Sequence, residues 1–500
     1  MNREFLINAI FLVLVNLLIK PFYVFGIERV IQDRVGAETY GLYATLFSFA
    51  FLFFMVNDFG ISHFNNRTIA QHPQLTGKYL PNILVLKGML AIMYLAVVFV
   101  AAFVRGFEVE VFYLLFFVAL NHVLISGVAY LRSNISGLGM YRADSFISTL
   151  DKVFLIVLCA VLLWANPFSD GLDFDIKWFV HAQNIAWGLT AFAAFFVIYR
   201  KVKFNLLKPV HWPFLKTIIK KSFPFALAVF LMTVYIRFDI VILEWLLPDG
   251  RYHAGVYAAS YRLLDAFNMV GYLFAGLLLP MFSKLLVANT STAKSEILSL
   301  LRFSLQLIWA GTVTFAVTCF FFQQEIMAIM YPLSVDASNV QYYGLTMGFL
   351  ILTLVPFSGA YIYSTLLTAN NSMRKMNRFF LVGILVNVVM NLMLIPQLQA
   401  TGAAIAAFST QTFVMIGMMW LAKQELQLPF RWQDGVKILG FVAATVTANW
   451  LVFYLTNLDW VLKFAMCILS GILLAFTFRL VQVKSFIDML KKQDGLSIKE

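Results

Sequence analysis

The stretch FLINAIFLVLVNLLI, residues 5–19, contains no charged side chain, and runs of this kind recur along the whole chain. An apolar run of about 18 or more residues reads as a membrane-spanning helix, because about 20 residues rising about 1.5 Å each cross a hydrocarbon core of roughly 30 Å. About fourteen spans can be read, beginning near Phe5, Thr39, Tyr79, Glu110, Ala143, Lys177, Ser222, Gly255, Arg302, Gln341, Arg378, Gly402, Val436 and Trp460. Composition supports the same solvent. Of the 500 residues 61% are hydrophobic and only 12% charged, against roughly 25% charged in soluble domains, too little polar surface to cover a water-facing globule. The first run has no small-residue cleavage site after it and continues into a second span, so it reads as an anchor and not as a removable signal peptide. The expected fold class is an all-α integral membrane protein.

The formal charge of +12 reads as an orientation signal and not as a nucleic-acid surface. With the N-terminus inside, cytoplasmic segments hold 25 of the 37 Lys and Arg, whereas outer segments hold Arg29, Arg34, Arg105, Lys177, Arg251 and Lys463. Lys and Arg concentrate in short cytoplasmic loops, so both termini are expected in the cytoplasm. Every connection is short, which leaves no room for a soluble catalytic domain. Cys159, Cys319 and Cys467 lie in separate apolar runs and read as buried thiols, not as disulfides or metal ligands. The six histidines show no HExxH or Cys/His spacing, and Gly77-Lys78 lacks the Gly-rich lead of a phosphate loop. Nucleotide hydrolysis, metal chemistry and nucleic-acid binding are not expected.

The longest basic stretch, RKVKFNLLKPVHWPFLKTIIKK at residues 200–221, carries seven Lys or Arg among its 22 residues. It reads as an amphipathic cytoplasmic linker against anionic headgroups, each charge worth about 1 kcal/mol near the surface. It divides the first twelve spans into a six-helix lobe at 1–199 and another at 222–422, with two further helices and a tail at 423–500. A repeat supports the division. YGLYA at 40–44 matches AGVYA at 254–258, so that Gly41, Tyr43 and Ala44 map onto Gly255, Tyr257 and Ala258 at a constant offset of 214. Repeats of an even number of spans insert parallel, as two lobes about a pseudo-two-fold axis normal to the membrane.

Ionisable side chains at bilayer depth cost at least about 2.5–3.5 kcal/mol each on insertion scales, so they face a cavity or a partner. In the first span Asn16, Lys20 and Tyr23 share one helix face beside Pro21, which should kink the helix. The seventh span carries Arg237 and Asp239, about 200° apart on a helix, with Glu244 on the Arg237 face near the outer mouth. The eighth span has a polar stripe of Arg262, Asp265, Asn268 and Tyr272, in which Arg262 and Asp265 are spaced for an ion pair. Lys87 lies in the third span and Asp151-Lys152 in the fifth, whereas Asp58, in NDFGI, reads as a structural residue at a helix end. The deep set of Lys20, Lys87, Lys152, Arg237 and Arg262 outnumbers Asp151, Asp239 and Asp265. A cationic surplus of this kind suits an anionic substrate, phosphate oxygens in particular.

The stretch VGAETYGLYATLFSFAFLFFMVNDFGISHFNNRTIA resembles the polysaccharide transport family of the multidrug/oligosaccharidyl-lipid/polysaccharide flippase superfamily. RFDIVILEWLLPDGRYHAGVYAASYRLLDAFNMVGYLFAGLLLPMFSKL is similar to the same family in its Asp, its following Gly-x-Tyr and its later Pro-x-Phe-Ser. The resemblance implies a flippase for lipid-linked oligosaccharides on undecaprenyl diphosphate, such as O-antigen or capsule repeat units, in the bacterial inner membrane. It further implies a central cavity whose cations, by position Lys20, Arg237 and Arg262, take the sugar-diphosphate headgroup. No cofactor is implied, with H⁺ or Na⁺ as candidate coupling ions. A monomer is expected, with membrane lipids and polysaccharide-assembly enzymes as neighbours.

Two other readings compete. A multidrug and toxin exporter of the same superfamily usually has twelve spans and a carboxylate-centred cavity, and both fourteen spans and a cationic surplus weigh against it. A membrane polymerase or glycosyltransferase needs polar residues on a sizeable outer loop or a nucleotide-sugar site. The longest outer loops, around 165–176 and 324–340, contain no Lys, Arg or His.

Overall fold

A computed structural model describes residues 19–165, 174–202, 211–288, 291–428 and 432–481. Asn16 lies outside the described residues. Every regular element among the described residues is a helix. From the second span onward the helices fall on the expected spans, through Thr76–Arg105, Val109–Gly137 and Tyr141–Ala160 to Trp432–Leu455 and Trp460–Thr477. Among the described residues nine helices are long and apolar enough to cross a membrane. The longest, Met373–Leu426, breaks at Gln399 (φ 53°, ψ −130°), so two spans run together there.

The first two spans owe their shape to two local interruptions. Pro21 cannot donate an N–H to the preceding turn, and a π-helical turn follows it at Tyr23–Glu28. Gly36 (φ 78°, ψ 166°) then breaks the Arg29–Leu52 helix. The helix that carries the seventh span begins at Trp212, ten residues before the expected start of the span, with Pro213 in the first turn where its missing N–H costs nothing. Leu215 and Ile218 are buried, whereas Lys216, Lys220 and Lys221 are exposed. The end of the basic stretch is therefore the amphipathic start of the Trp212–Leu246 helix.

The chain divides into two compact units, and the first comprises Met1–Arg262, Tyr331–Ser334 and Asn391–Ala403. One of its cores gathers Ile83, Leu86, Tyr130, Ile147, Ile198 and Ile218. The repeat seen in the sequence meets itself within this unit. A Cβ placed on Gly41 would overlap the carbonyl oxygen of Arg251, and one on Gly255 would overlap that of Ala37. Arg251 follows Ala37 by the same 214 residues that separate Gly255 from Gly41. The contact is therefore its own image under the repeat, as a local two-fold axis between the Arg29–Leu52 and Gly250–Ala288 helices demands.

The second unit comprises Leu263–Met330, Val335–Met390 and Ala404–Glu500. Here the C-terminal helices Trp432–Leu455 and Trp460–Thr477 pack on Ser291–Phe321. Arg302 Nε binds Asp434 at 2.9 Å, and Gly471 meets the side chain of Thr314. Asn449 donates to Thr318 at 3.5 Å. Asp265 belongs to this unit, where it is half-buried.

Candidate functional site

Polar groups of the first unit collect on the Arg29–Leu52 helix and on the helices packed against it. Arg237, on Trp212–Leu246, is half-buried, and its guanidinium stands 6.0 Å from the ring centroid of Phe47 and 6.0 Å from that of Phe51. Those rings are one turn apart and stacked, with 9° between their planes. A cation over aromatic faces gains about 2 kcal/mol when desolvated, less than a desolvated charge requires. No carboxylate among the described residues pairs with Arg237. Its electrostatic neighbours are Tyr43, His122 and Tyr257.

His122 touches the same two rings, with centroids 4.5 Å from Phe47 and 5.3 Å from Phe51. Its Nδ1 lies 2.9 Å from the Val118 carbonyl, so Nδ1 carries the proton. Asp239, two residues after Arg237, points elsewhere as expected. It is buried and accepts from the Tyr257 hydroxyl at 2.9 Å and from Asn391 Nδ2 at 2.7 Å.

Arg262 finds a partner that the sequence did not suggest. Its Nη2 lies 3.0 Å from Glu28 Oε1 and also donates to the Tyr40 hydroxyl, which itself donates to Glu28 at 2.9 Å. Glu28 is the last residue of the π-helical turn, which sets the aim of this carboxylate. One turn beyond Tyr40, the Tyr43 hydroxyl accepts from Gln183 at 2.7 Å, and Gln183 accepts from Asn121 at 2.8 Å. Tyr43 lies within the electrostatic reach of Glu28, Arg262 and Arg237.

Lys20 belongs to a neighbouring group. It is half-buried, makes no ion pair among the described residues, and has Lys152, Asp151 and Arg132 as electrostatic neighbours. Lys152 pairs with Asp151 at 3.3 Å, and its ammonium stands 4.5 Å from the Tyr23 ring and 5.7 Å from the Trp187 ring.

Two further charges are held within the scaffold. Lys87 is buried and binds Asp58 Oδ1 and Ser126 Oγ, each at 2.5 Å. Asp58 closes the short Phe54–Asp58 helix, after which Phe59 and Gly60 turn left-handed (φ 51° and 69°) into Ile61–Gln71. Asp58 thus has the helix-end role read from NDFGI, with Lys87 as its ion-pair partner. Glu244 likewise binds Arg105 at 2.7 Å. Among the described residues no three His, Cys, Asp or Glu side chains cluster as a metal site requires.

Chemically, the arrangement presents one guanidinium with no carboxylate partner among the described residues, a second paired with Glu28 and with Tyr40, and an ammonium group with aromatic walls. It offers hydrogen-bond donors and charges on aromatic surfaces. Sequence reasoning missed Glu28, Tyr40, Phe47, Phe51, His122 and Gln183. Only the tyrosines of the repeat, Tyr43 and Tyr257, carried a signal.

The fold has solved counterparts. The lipid II flippase MurJ in an inward closed conformation superposes with a TM-score of 0.71 at 14% identity, covering 96% of this chain and all of that one. An inward-facing multidrug resistance MATE family transporter of the MOP superfamily gives 0.64 at 13% identity, over 84% of this chain and 98% of the other. A MOP superfamily transporter from Pyrococcus furiosus, described as having a binding pocket of reverse polarity, gives 0.54 at 13% identity over 84% and 96%. At these identities the likeness establishes the fold of the flippase-type membrane transporters. No curated protein sequence matches. Residues 5–286, more than half of the chain, match the family described as polysaccharide biosynthesis protein, and the chain belongs to that family.

Proposed function

We propose that the protein is a flippase that carries a lipid-linked oligosaccharide repeat unit, on undecaprenyl diphosphate, across the bacterial cytoplasmic membrane for polysaccharide, O-antigen or capsule assembly. The observation that carries this reading is Arg237, a half-buried guanidinium on two phenylalanine rings with no carboxylate partner among the described residues. An uncompensated charge at this depth is costly in the empty protein, and an anionic ligand removes the cost. Two phosphates offer the planar, multi-oxygen surface that a guanidinium grips bidentately. The Glu28–Tyr40–Arg262 bridge serves as a second grip that exchanges Glu28 for phosphate oxygens, and Lys20 lies further along the ligand. Asp239 and Asp265 tune or release the headgroup.

In this reading two six-helix lobes, 1–199 and 222–422, rock about the bound headgroup by alternating access while the lipid tail stays in the bilayer. The chain works as a monomer with both termini in the cytoplasm, and H⁺ or Na⁺ supplies the coupling. Family membership and the MurJ-like fold support a membrane transporter of a polysaccharide precursor. The test is reconstitution. Proteoliposomes should move a fluorescent prenyl-diphosphate-linked disaccharide between leaflets, faster under an imposed H⁺ or Na⁺ gradient. Movement of organic cations with no movement of that lipid would favour an exporter instead.

A further inference from the structure

Arg237 and Lys20 have different sets of electrostatic neighbours, and Tyr23 lies within reach of both Glu28 and Tyr43. Arg237 has Tyr43, His122 and Tyr257, and Lys20 has Lys152, Asp151 and Arg132. Contact geometry places Lys152 beside Tyr23, on the helix that carries Lys20 into this region. Lys20 lies three residues before Tyr23, the distance that puts side chains on one helix face, and the Lys152 ammonium stands 4.5 Å from the Tyr23 ring. The turn bearing Tyr23 packs on the Tyr141–Ala160 helix that bears Lys152.

We propose that Lys20 and Lys152, walled by Tyr23 and Trp187, form a second anion subsite that takes a carboxylate-bearing sugar of the glycan. The proposal rests on the flippase reading and names the substrate class within it. Charge balance is the first support. Arg132 is engaged by Asp144, which it holds through two bonds at 2.8 and 3.3 Å. Asp151 is buried and pairs with Lys152 at 3.3 Å. Lys20 is left with no ion pair or hydrogen bond among the described residues, in the field of another ammonium. Two ammonium groups and one carboxylate leave room for one more carboxylate.

The kind of side chain is the second support. Lysine offers a compact charge with rotating donors, which suits a single carboxylate, whereas the arginine fork suits the diphosphate. Tyr23 and Trp187 add flat walls of the sort on which the C–H face of a sugar ring packs. A glycan whose diphosphate rests at Arg237 would extend its sugars away from it, and a uronic-acid-type residue would bring its carboxylate to Lys20 and Lys152.

The experiment uses the full-length protein in nanodiscs and two farnesyl-diphosphate disaccharides. The probes differ only in the second sugar, glucose in one and glucuronic acid in the other. Wild-type protein should bind the acidic probe about tenfold more tightly, the ratio that about 1.4 kcal/mol produces. Lys152→Gln should bring the two affinities together, and Lys152→Arg should restore most of the difference. Arg237→Ala should weaken both probes by the same factor. Equal wild-type affinities, or a preference that survives Lys152→Gln and Lys20→Gln, would overturn the subsite and leave the flippase reading standing. Failure of wild type to bind either probe would overturn both.

Discussion

Replacing Gly41 by alanine inserts one methyl group into a contact made by backbone alone. That Cβ would overlap the Arg251 carbonyl oxygen and stand 2.7 Å from the Gly255 nitrogen. An ordinary contact is about 3.5 Å, so the two helices must part by roughly 1 Å with no side chain able to yield. Overpacking of this kind costs about 1–3 kcal/mol. The strained arrangement is the one in which the ends of these helices meet, tied further by Gln32 Nε2 to the Gly255 carbonyl at 3.1 Å and by Asp33 accepting from Leu333 and Ser334. In a transporter that alternates between closing and opening this end, the same 1–3 kcal/mol shifts the equilibrium by about 5–150-fold toward open. Thr45, one turn from Gly41 on the same face and fully buried, reports the change as a single cysteine. The native Cys159, Cys319 and Cys467 are buried and keep the background low. Labelling of Thr45→Cys by an impermeant maleimide from outside should rise at least about fivefold in Gly41→Ala. Gly255→Ala should match it because the contact is reciprocal, and the double change should add less than the sum. Unchanged labelling in both single variants would refute the reasoning.

Lys87→Ala should cost about 3–5 kcal/mol by leaving Asp58 buried and unpaired, and Asp58→Asn with Lys87→Met should recover a large part of the loss. Thermal unfolding of purified protein measures both. Neutralising Lys216, Lys220 and Lys221 together should lower the yield of correctly inserted protein and leave glycan preference unchanged, since headgroup attraction recognises no sugar. Reporter fusions at Asp336 should signal outside and at Lys491 inside, and the opposite pair of signals would invert the topology.

The spans were legible because hydrocarbon imposes one demand on every segment, and an uncharged run as long as 340–369 meets it without reference to the rest of the chain. The repeat was legible too, since the 214-residue offset between Gly41 and Gly255 lies in the sequence itself, although their contact was not. What could not be read is what joins residues of different helices. Lys87 meets Asp58 across 29 positions and Gln183 meets Tyr43 across 140. Neither separation leaves a periodic trace. Glu28 was hidden for another reason: near the outer end of its span it resembled an ordinary boundary charge, and only the π-helical turn after Pro21 brings it to Arg262. The start of the Trp212–Leu246 helix was not legible either, because its first turns carry a charge run, and charge marks the expected membrane boundary more plainly than the end of a helix.

The central claim is that Arg237 holds the diphosphate of the transported lipid, and the rate of flipping a prenyl-diphosphate disaccharide in proteoliposomes tests it most directly. At equal amounts of folded protein, Arg237→Ala should lower that rate at least about a hundredfold, because a desolvated charge-assisted grip is worth about 3 kcal/mol. Arg237→Lys should keep part of it, with charge retained and bidentate geometry lost. A wild-type rate in Arg237→Ala would contradict the account and reduce this arginine to a helix-packing residue on Phe47 and Phe51.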